Sequence, residues 1–110
     1  SEKNPMAEKS RAIALLVGVA MHEAGFKPTL HHAEKIPGEN RPLLTRKTGV
    51  YEFTDLVVTI AAALPSILLE CGVIAHRDEE LEVSRRAYQE RVAQAILVAL
   101  SRARTQGILP

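Results

Sequence analysis

The sequence of 110 residues has no tryptophan, two tyrosines, two phenylalanines and one cysteine. With Cys71 as its single thiol, the chain forms no internal disulfide. So few aromatic rings argue against a stacking platform for nucleic-acid bases. Basic and acidic side chains nearly cancel to a formal net charge of +1, so charge does not indicate nucleic acid or an anionic membrane as a partner.

Long apolar runs are also lacking. A membrane-spanning helix needs roughly 20 apolar residues, and the longest apolar-rich region, 56–69, is broken by Pro65. Residues 1–11 are polar and do not resemble a secretory signal peptide, so we expect any export signal upstream of them. Hydrophobic residues make up 46% of the chain, which is enough for one small domain with a buried core. Since the chain has neither a long apolar run nor a strong positive charge, we expect no membrane partner.

Two segments show the apolar spacing of amphipathic helices. The first begins near Asn4 and Pro5, which suit a helix start, and ends at Gly25. The second ends at Gly107, and residues 78–83 predict a shorter helix before it. The apolar stripes consist of Ile13, Leu16, Val17, Ala20, Met21 and Ala24 in the first helix, and Tyr88, Val92, Ala95, Ile96, Ala99, Leu100 and Ala103 in the second.

Three segments predict strands, at 26–32, 56–60 and 66–69. The last two are short apolar runs without polar alternation, which favours strands buried on both faces. Residues 33–49 are polar and rich in turn formers, and predict a long loop. Helices flanking buried strands predict an α/β fold, an open layered sheet flanked by helices.

Glu70 is the most informative residue because it places a carboxylate at the end of an apolar run. Ligands of open α/β sheets bind at the carboxyl ends of the strands. One interpretation is a carboxylate that is solvated or bonded to a loop amide. The other is a catalytic general base that takes a proton from an attacking water.

Histidines supply the remaining candidates. His31, His32 and Glu34 resemble a metal cluster, but neighbouring side chains of a strand point to opposite faces, so only His32 and Glu34 share a side. Because zinc needs more convergent ligands than that, we predict no metal ligand here. We expect His32, and His76 in the loop after Glu70, to contact substrate or solvent. An alternative is a helical interaction domain in which His31, His32 and Glu34 bind a metal ion shared between two copies of the chain.

The segment around Glu70 also follows a family signature. From Pro65 onward the sequence gives a proline, an apolar run, a glutamate, a glycine with an apolar pair, a polar loop and an acidic pair. Ser10 and Ala14 match a Ser-x-x-x-Ala helix. Together these features resemble the C-terminal half of the catalytic domain in the amidase_3 family, the zinc-dependent N-acetylmuramoyl-L-alanine amidases. The signature positions are Pro65, Ser66, Ile67, Leu68, Leu69, Glu70, Gly72, Val73, Ile74, Glu79 and Glu80.

This resemblance implies a bacterial enzyme of the periplasm or cell envelope that hydrolyses the amide between N-acetylmuramic acid and L-alanine in peptidoglycan. Glu70 would be the catalytic glutamate and zinc the cofactor. The family's ligands lie in an Asp-x-Gly-His-Gly-Gly turn, at a later glutamate and in a Ser-x-His motif. Because the sequence contains neither histidine motif, we expect the ligands upstream and the segment alone to be inactive.

One further expectation follows from a chain that supplies part of a domain. It should expose strand edges and apolar faces through which copies associate into a homo-oligomer. The alternative to an enzyme is a non-catalytic, amidase-like module that binds peptidoglycan or regulates a true amidase.

Overall fold

The computed structural model describes residues 3–30, 41–72 and 75–110. Within these ranges, helices dominate and the sheet has two antiparallel strands. The open layered sheet of the prediction is not found among the described residues. The elements, in order, are α1 (Ala7–Glu23), β1 (Leu43–Thr45), β2 (Val50–Tyr51), α2 (Val57–Ala61), α3 (Arg77–Val83) and α4 (Arg86–Thr105).

The two long helices confirm the predictions from apolar spacing. Asn4 precedes α1, and its Oδ1 accepts a hydrogen bond from the backbone N–H of Met6 at 2.6 Å. Gly25 and Gly107 follow α1 and α4 with φ of +91° and +74°. Glycine suits both positions because a left-handed conformation costs it little. The predicted short helix is also confirmed as α3.

The core lies between α1 and α4. Ile13, Val17 and Ala20 of α1 pack against three alanines of α4, two of which are completely buried. Small side chains on α4 let the two helices approach closely, so apolar area is buried without large residues on both sides. The alanines are Ala95, Ala99 and Ala103.

A hairpin occupies part of the predicted loop. β1 and β2 pair with Leu43 opposite Tyr51 and Thr45 opposite Val50. A Cβ on Gly18 of α1 would lie 2.7 Å from Cγ2 of Val50, so the hairpin can approach α1 because position 18 has no side chain. The prediction of a continuous loop over 33–49 is therefore wrong where the hairpin lies. Its residues 33–40 fall outside the described residues.

The predicted strand at 56–60 is wrong, because this run forms α2. The side-chain amide of Asn4 donates to the carbonyls of Thr59, at 2.6 Å, and Ala62, at 3.0 Å, which fixes the end of this helix against the start of α1. A short apolar run without alternation is compatible with a helix or a strand, so a distant polar partner can favour either.

The other two predicted strands are not observed as strands either. Residues 66–69 have neither helical nor strand hydrogen bonding. Ile67 and Leu69 nevertheless pack against the helical core, whereas Leu68 between them is 57% exposed. Residues 26–30 also lack strand pairing, and the remaining two residues of that prediction, 31 and 32, fall outside the described residues.

Candidate functional site

An open cleft of about 1000 Å³ lies beside α1. One face of α1 forms its floor, around Ala14 and Gly18, and the hairpin forms one wall. Residues 66–72 form another wall, which we call the Glu70 wall. A groove of this kind can accept an extended polymer along its length.

Glu70 is exposed on the wall that bears its name and lines the cleft. The alternation of half-buried Ile67 and Leu69 with exposed Leu68 and Glu70 is typical of backbone whose successive side chains point in opposite directions. The two apolar side chains therefore anchor the wall to the core, and the carboxylate is left accessible at the cleft.

A buried serine fixes the beginning of the Glu70 wall. Ser10 of α1 is only 3% exposed. Its Oγ accepts a hydrogen bond from the backbone N–H of Ser66 at 2.9 Å and donates to the carbonyl of Met6 at 2.9 Å. Both hydrogen-bonding capacities of the hydroxyl are used, so this bond connects the wall to the first turn of α1.

A tyrosine of α4 holds the other end of the wall. The hydroxyl of Tyr88 donates to the carbonyl of Cys71, the residue after Glu70. Burial raises the pKa of Tyr88 above its ordinary value of 10.0, and nearby Cys71 and Glu79 raise it further. The phenol therefore remains protonated, and remains a donor, at neutral pH.

Gly72 lets the wall pack against α3. A Cβ at this position would lie 2.6 Å from Cγ1 of Val83. Its φ is not positive, so the requirement for glycine here is one of space and not of backbone conformation. The glycine of the signature is thus explained by a close contact.

The cleft carries charges of both signs. Arg11 of α1 pairs with Glu52 after the hairpin, with 3.4 Å between Nη2 and Oε2. The Arg41 guanidinium lies 4.3 Å from the centre of the Phe53 ring. Arginines lining a groove can bind carboxylate groups of a peptide ligand through paired hydrogen bonds.

The structure does not gather all predicted site residues in one place. Glu70 lines the cleft, whereas His76, the residue before α3, is exposed and is not among the lining residues. His32 falls outside the described residues, as do His31 and Glu34. The roles of Glu70, His32 and His76 stay predictions.

The described residues do not fit a zinc site. Within 3–30, 41–72 and 75–110, no group of three histidine, cysteine, aspartate or glutamate side chains is arranged to hold a metal ion. The sequence also lacks the two histidine motifs of the family.

Comparison with known families establishes which family the chain belongs to. Residues 7–102 match the family model Amidase_3, described as N-acetylmuramoyl-L-alanine amidase. The chain belongs to this family. The amidase match runs from the start of α1 almost to the end of α4, so it includes the cleft floor and the Glu70 wall. No curated protein and no solved structure shows a significant match.

Membership confirms the family resemblance found in the sequence, and proteins of this family act on peptidoglycan. None of the described helices of this amidase-family chain is long and apolar enough to cross a membrane. Sequence patterns do not predict the hydrogen bond that Ser10 accepts from the wall or the one that Tyr88 donates to it. The family resemblance includes Ser10 and Tyr88, and apolar spacing also includes Tyr88, but neither signal identifies a hydrogen-bond partner.

Proposed function

We propose that this protein takes part in hydrolysis of the amide between N-acetylmuramic acid and L-alanine in peptidoglycan, in the bacterial cell envelope. The observation that carries the proposal is the position of Glu70, an accessible carboxylate on the wall of an open cleft in an amidase-family chain. The glycan and its stem peptide are extended, which suits a groove better than a closed pocket.

In this proposal Glu70 acts as a general base. Water attacks the amide carbonyl carbon and transfers a proton to the carboxylate. The protonated Glu70 then gives the proton to the alanine nitrogen as the C–N bond breaks. The products are a lactyl carboxylate and a free amine. His32 and His76 remain candidate contacts to the substrate.

Family membership also implies zinc, and we propose that the intact enzyme uses it. Since the described residues provide no cluster of three donors, the ligands must come from outside them. Because the sequence has neither histidine motif of the family, the 110-residue chain alone is expected to be inactive and to retain no zinc after dialysis.

The test is release of stem peptides from purified peptidoglycan by the enzyme that carries this chain together with its metal ligands. Glu70→Gln keeps the shape of the side chain and removes the base, so activity should fall by about a hundredfold or more. The zinc content should not change. Activity close to that of the wild type would contradict the role of Glu70.

A matched control is Glu8→Gln. Glu8 is an exposed carboxylate in the first turn of α1 and does not line the cleft. Its activity should equal that of the wild type. An equal loss in both variants would indicate a general effect of removing a negative charge.

The second candidate is a non-catalytic module that binds peptidoglycan or regulates an amidase. It is suggested by the sequence, which keeps the signature around Glu70 without either histidine motif of the family. Binding of the 110-residue chain to purified peptidoglycan, in the presence of a chelator, measures this function directly. Binding that is retained in Glu70→Gln, together with no hydrolysis by the intact protein, would support this candidate over the enzyme.

A further inference from the structure

We propose that Tyr88 is a positioning residue, which holds the backbone next to Glu70 at the wall of the cleft through its hydrogen bond to the carbonyl of Cys71. The inference rests on the proposed role of Glu70. It adds Tyr88 of α4, a residue outside the signature, to the residues that present the carboxylate.

The first step concerns what fixes the wall. Its beginning is bonded to Ser10, and its middle is packed on the core through Ile67 and Leu69. The three residues that follow, 70–72, are all exposed. Apolar burial therefore does little to fix this end, and a directional bond from a helix has a larger effect there.

The second step concerns the rigidity of the donor. The Tyr88 ring meets the Phe26 ring edge-on, with centroids 5.2 Å apart and planes at 85°. Arg91, one turn further along α4, stacks on Phe26 at 4.5 Å and donates to the carbonyl of Ala24 at 2.7 Å. The end of α1 and the start of α4 are thus connected around the ring, which holds the phenol in one orientation.

The third step is that the hydrogen bond depends on one atom, the hydroxyl oxygen of Tyr88, which can be removed by itself. Tyr88→Phe keeps the aromatic ring against Phe26 and removes only the hydroxyl, so packing is preserved while the bond to Cys71 is lost. Gln89→Met is the matched control. Gln89 is the next residue of α4, and its Nε2 donates to another backbone carbonyl, that of Val83, at 3.1 Å.

The wall can be observed without any assay of activity. Cys71 is the only cysteine of the sequence and its thiol is exposed, so a nitroxide spin label can be attached there without removing other thiols. The Tyr88 bond uses the Cys71 carbonyl, which labelling leaves intact. Tyr88→Phe should narrow the electron paramagnetic resonance lines of the label, whereas Gln89→Met should give the spectrum of the unsubstituted chain.

Activity of the intact enzyme supplies the second measurement. Tyr88→Phe should lower kcat about tenfold, the effect of one lost hydrogen bond, with KM unchanged because no contact to substrate is removed. Gln89→Met should retain kcat. A merely structural role would instead lower the melting temperature and leave the kcat of the folded enzyme unchanged.

The outcomes separate the two proposals. An unchanged label spectrum in Tyr88→Phe would overturn the positioning role, whatever the enzyme catalyses. A more mobile label combined with a fully active Glu70→Gln enzyme would overturn the catalytic role of Glu70, and with it the catalytic purpose of Tyr88. A more mobile label and a reduced kcat in Tyr88→Phe but not in Gln89→Met, together with an inactive Glu70→Gln enzyme, would support both.

Discussion

The helix pair α1–α4 differs in apolar burial from the region formed by α2, residues 62–65 and the Glu70 wall, which we call the cleft side. Between the helices, Ala99 and Ala103 have no exposed surface. In residues 57–68, by contrast, large apolar side chains remain open to solvent. The most exposed are Val57 at 72%, Val58 at 65%, Leu64 at 73% and Leu68 at 57%.

This difference shows that two kinds of interaction maintain the structure. Burial holds the helix pair, and its contribution is spread over many contacts. The cleft side depends on directional hydrogen bonds to backbone groups of the wall and of α2. Asn4 and Tyr88 donate to carbonyls there, and Ser10 accepts from the Ser66 N–H. Losses in the helix pair should destabilise the whole fold, and losses on the cleft side should act locally.

The largest effect is expected from Ile13→Ala in the helix pair. Ile13 is 7% exposed, and its truncation leaves a cavity between α1 and α4 that should lower the free energy of unfolding by about 3 kcal/mol. Val19→Ala on the same helix, where the side chain is 41% exposed, should change it by less than about 0.5 kcal/mol. Urea unfolding measures both. Equal effects would mean that burial does not distinguish the two faces of α1.

Asn4→Ala is expected to have the next largest effect. Asn4 is 3% exposed, and its loss removes the donor to Thr59 and Ala62, at a cost of about 2 kcal/mol. Relative to the wild type, hydrogen exchange should accelerate more at the α2 amides than at the α4 amides. Asn4→Asp separates two functions of the residue, because it retains an acceptor for the Met6 N–H but loses the donor. Uniform exchange across both helices would contradict local action.

Gly72→Ala should have a smaller effect, a loss of about 1 kcal/mol, because the added Cβ would lie 2.6 Å from Cγ1 of Val83. Val83→Ala removes the obstructing methyl group, so the double variant should show a positive coupling that recovers part of the loss. Thermal unfolding of the four proteins gives the coupling. If the effects of Gly72→Ala and Val83→Ala on stability simply add, the strain of Gly72→Ala does not come from contact with Val83.

The smallest effect concerns an ion pair on the surface. The hydrogen bond from Lys3 Nζ, at 2.9 Å, and the charge of Lys3 lower the pKa of Asp55 below its ordinary value of 3.8. The contribution is therefore present above pH 3.8 and disappears as pH falls through the pKa of the folded state. Lys3→Met should be slightly less stable than the wild type at pH 7 and equally stable in strong acid. A difference that grows on acidification would contradict this sign.

The sequence predicts the helix pair well because helical periodicity is local. In the predicted stripe of α4, Val92, Ala95, Ala99 and Ala103 are buried, whereas Leu100 is 41% exposed and is wrongly included. Gly107 identifies the end of the helix. No distant residue is needed for either inference.

The cleft side was harder to predict because distant partners decide its structure. Residues 57–61 form a helix whose Thr59 carbonyl accepts a hydrogen bond from the side chain of Asn4, 55 positions away. The wall is bonded to Ser10 across 56 positions. The sequence could identify Glu70 as an unusual carboxylate, but the bonds that place it at a cleft require the folded chain.

The two tyrosines are intrinsic fluorescent probes of the cleft. Tyr51, whose hydroxyl donates to the Thr29 carbonyl at 3.0 Å, and Tyr88 both line the cleft, and the sequence has no tryptophan. Intrinsic fluorescence therefore originates beside the cleft, while far-ultraviolet circular dichroism comes mainly from α1 and α4. A single titration followed by both signals will show whether the groove loses its order together with the helices or ahead of them.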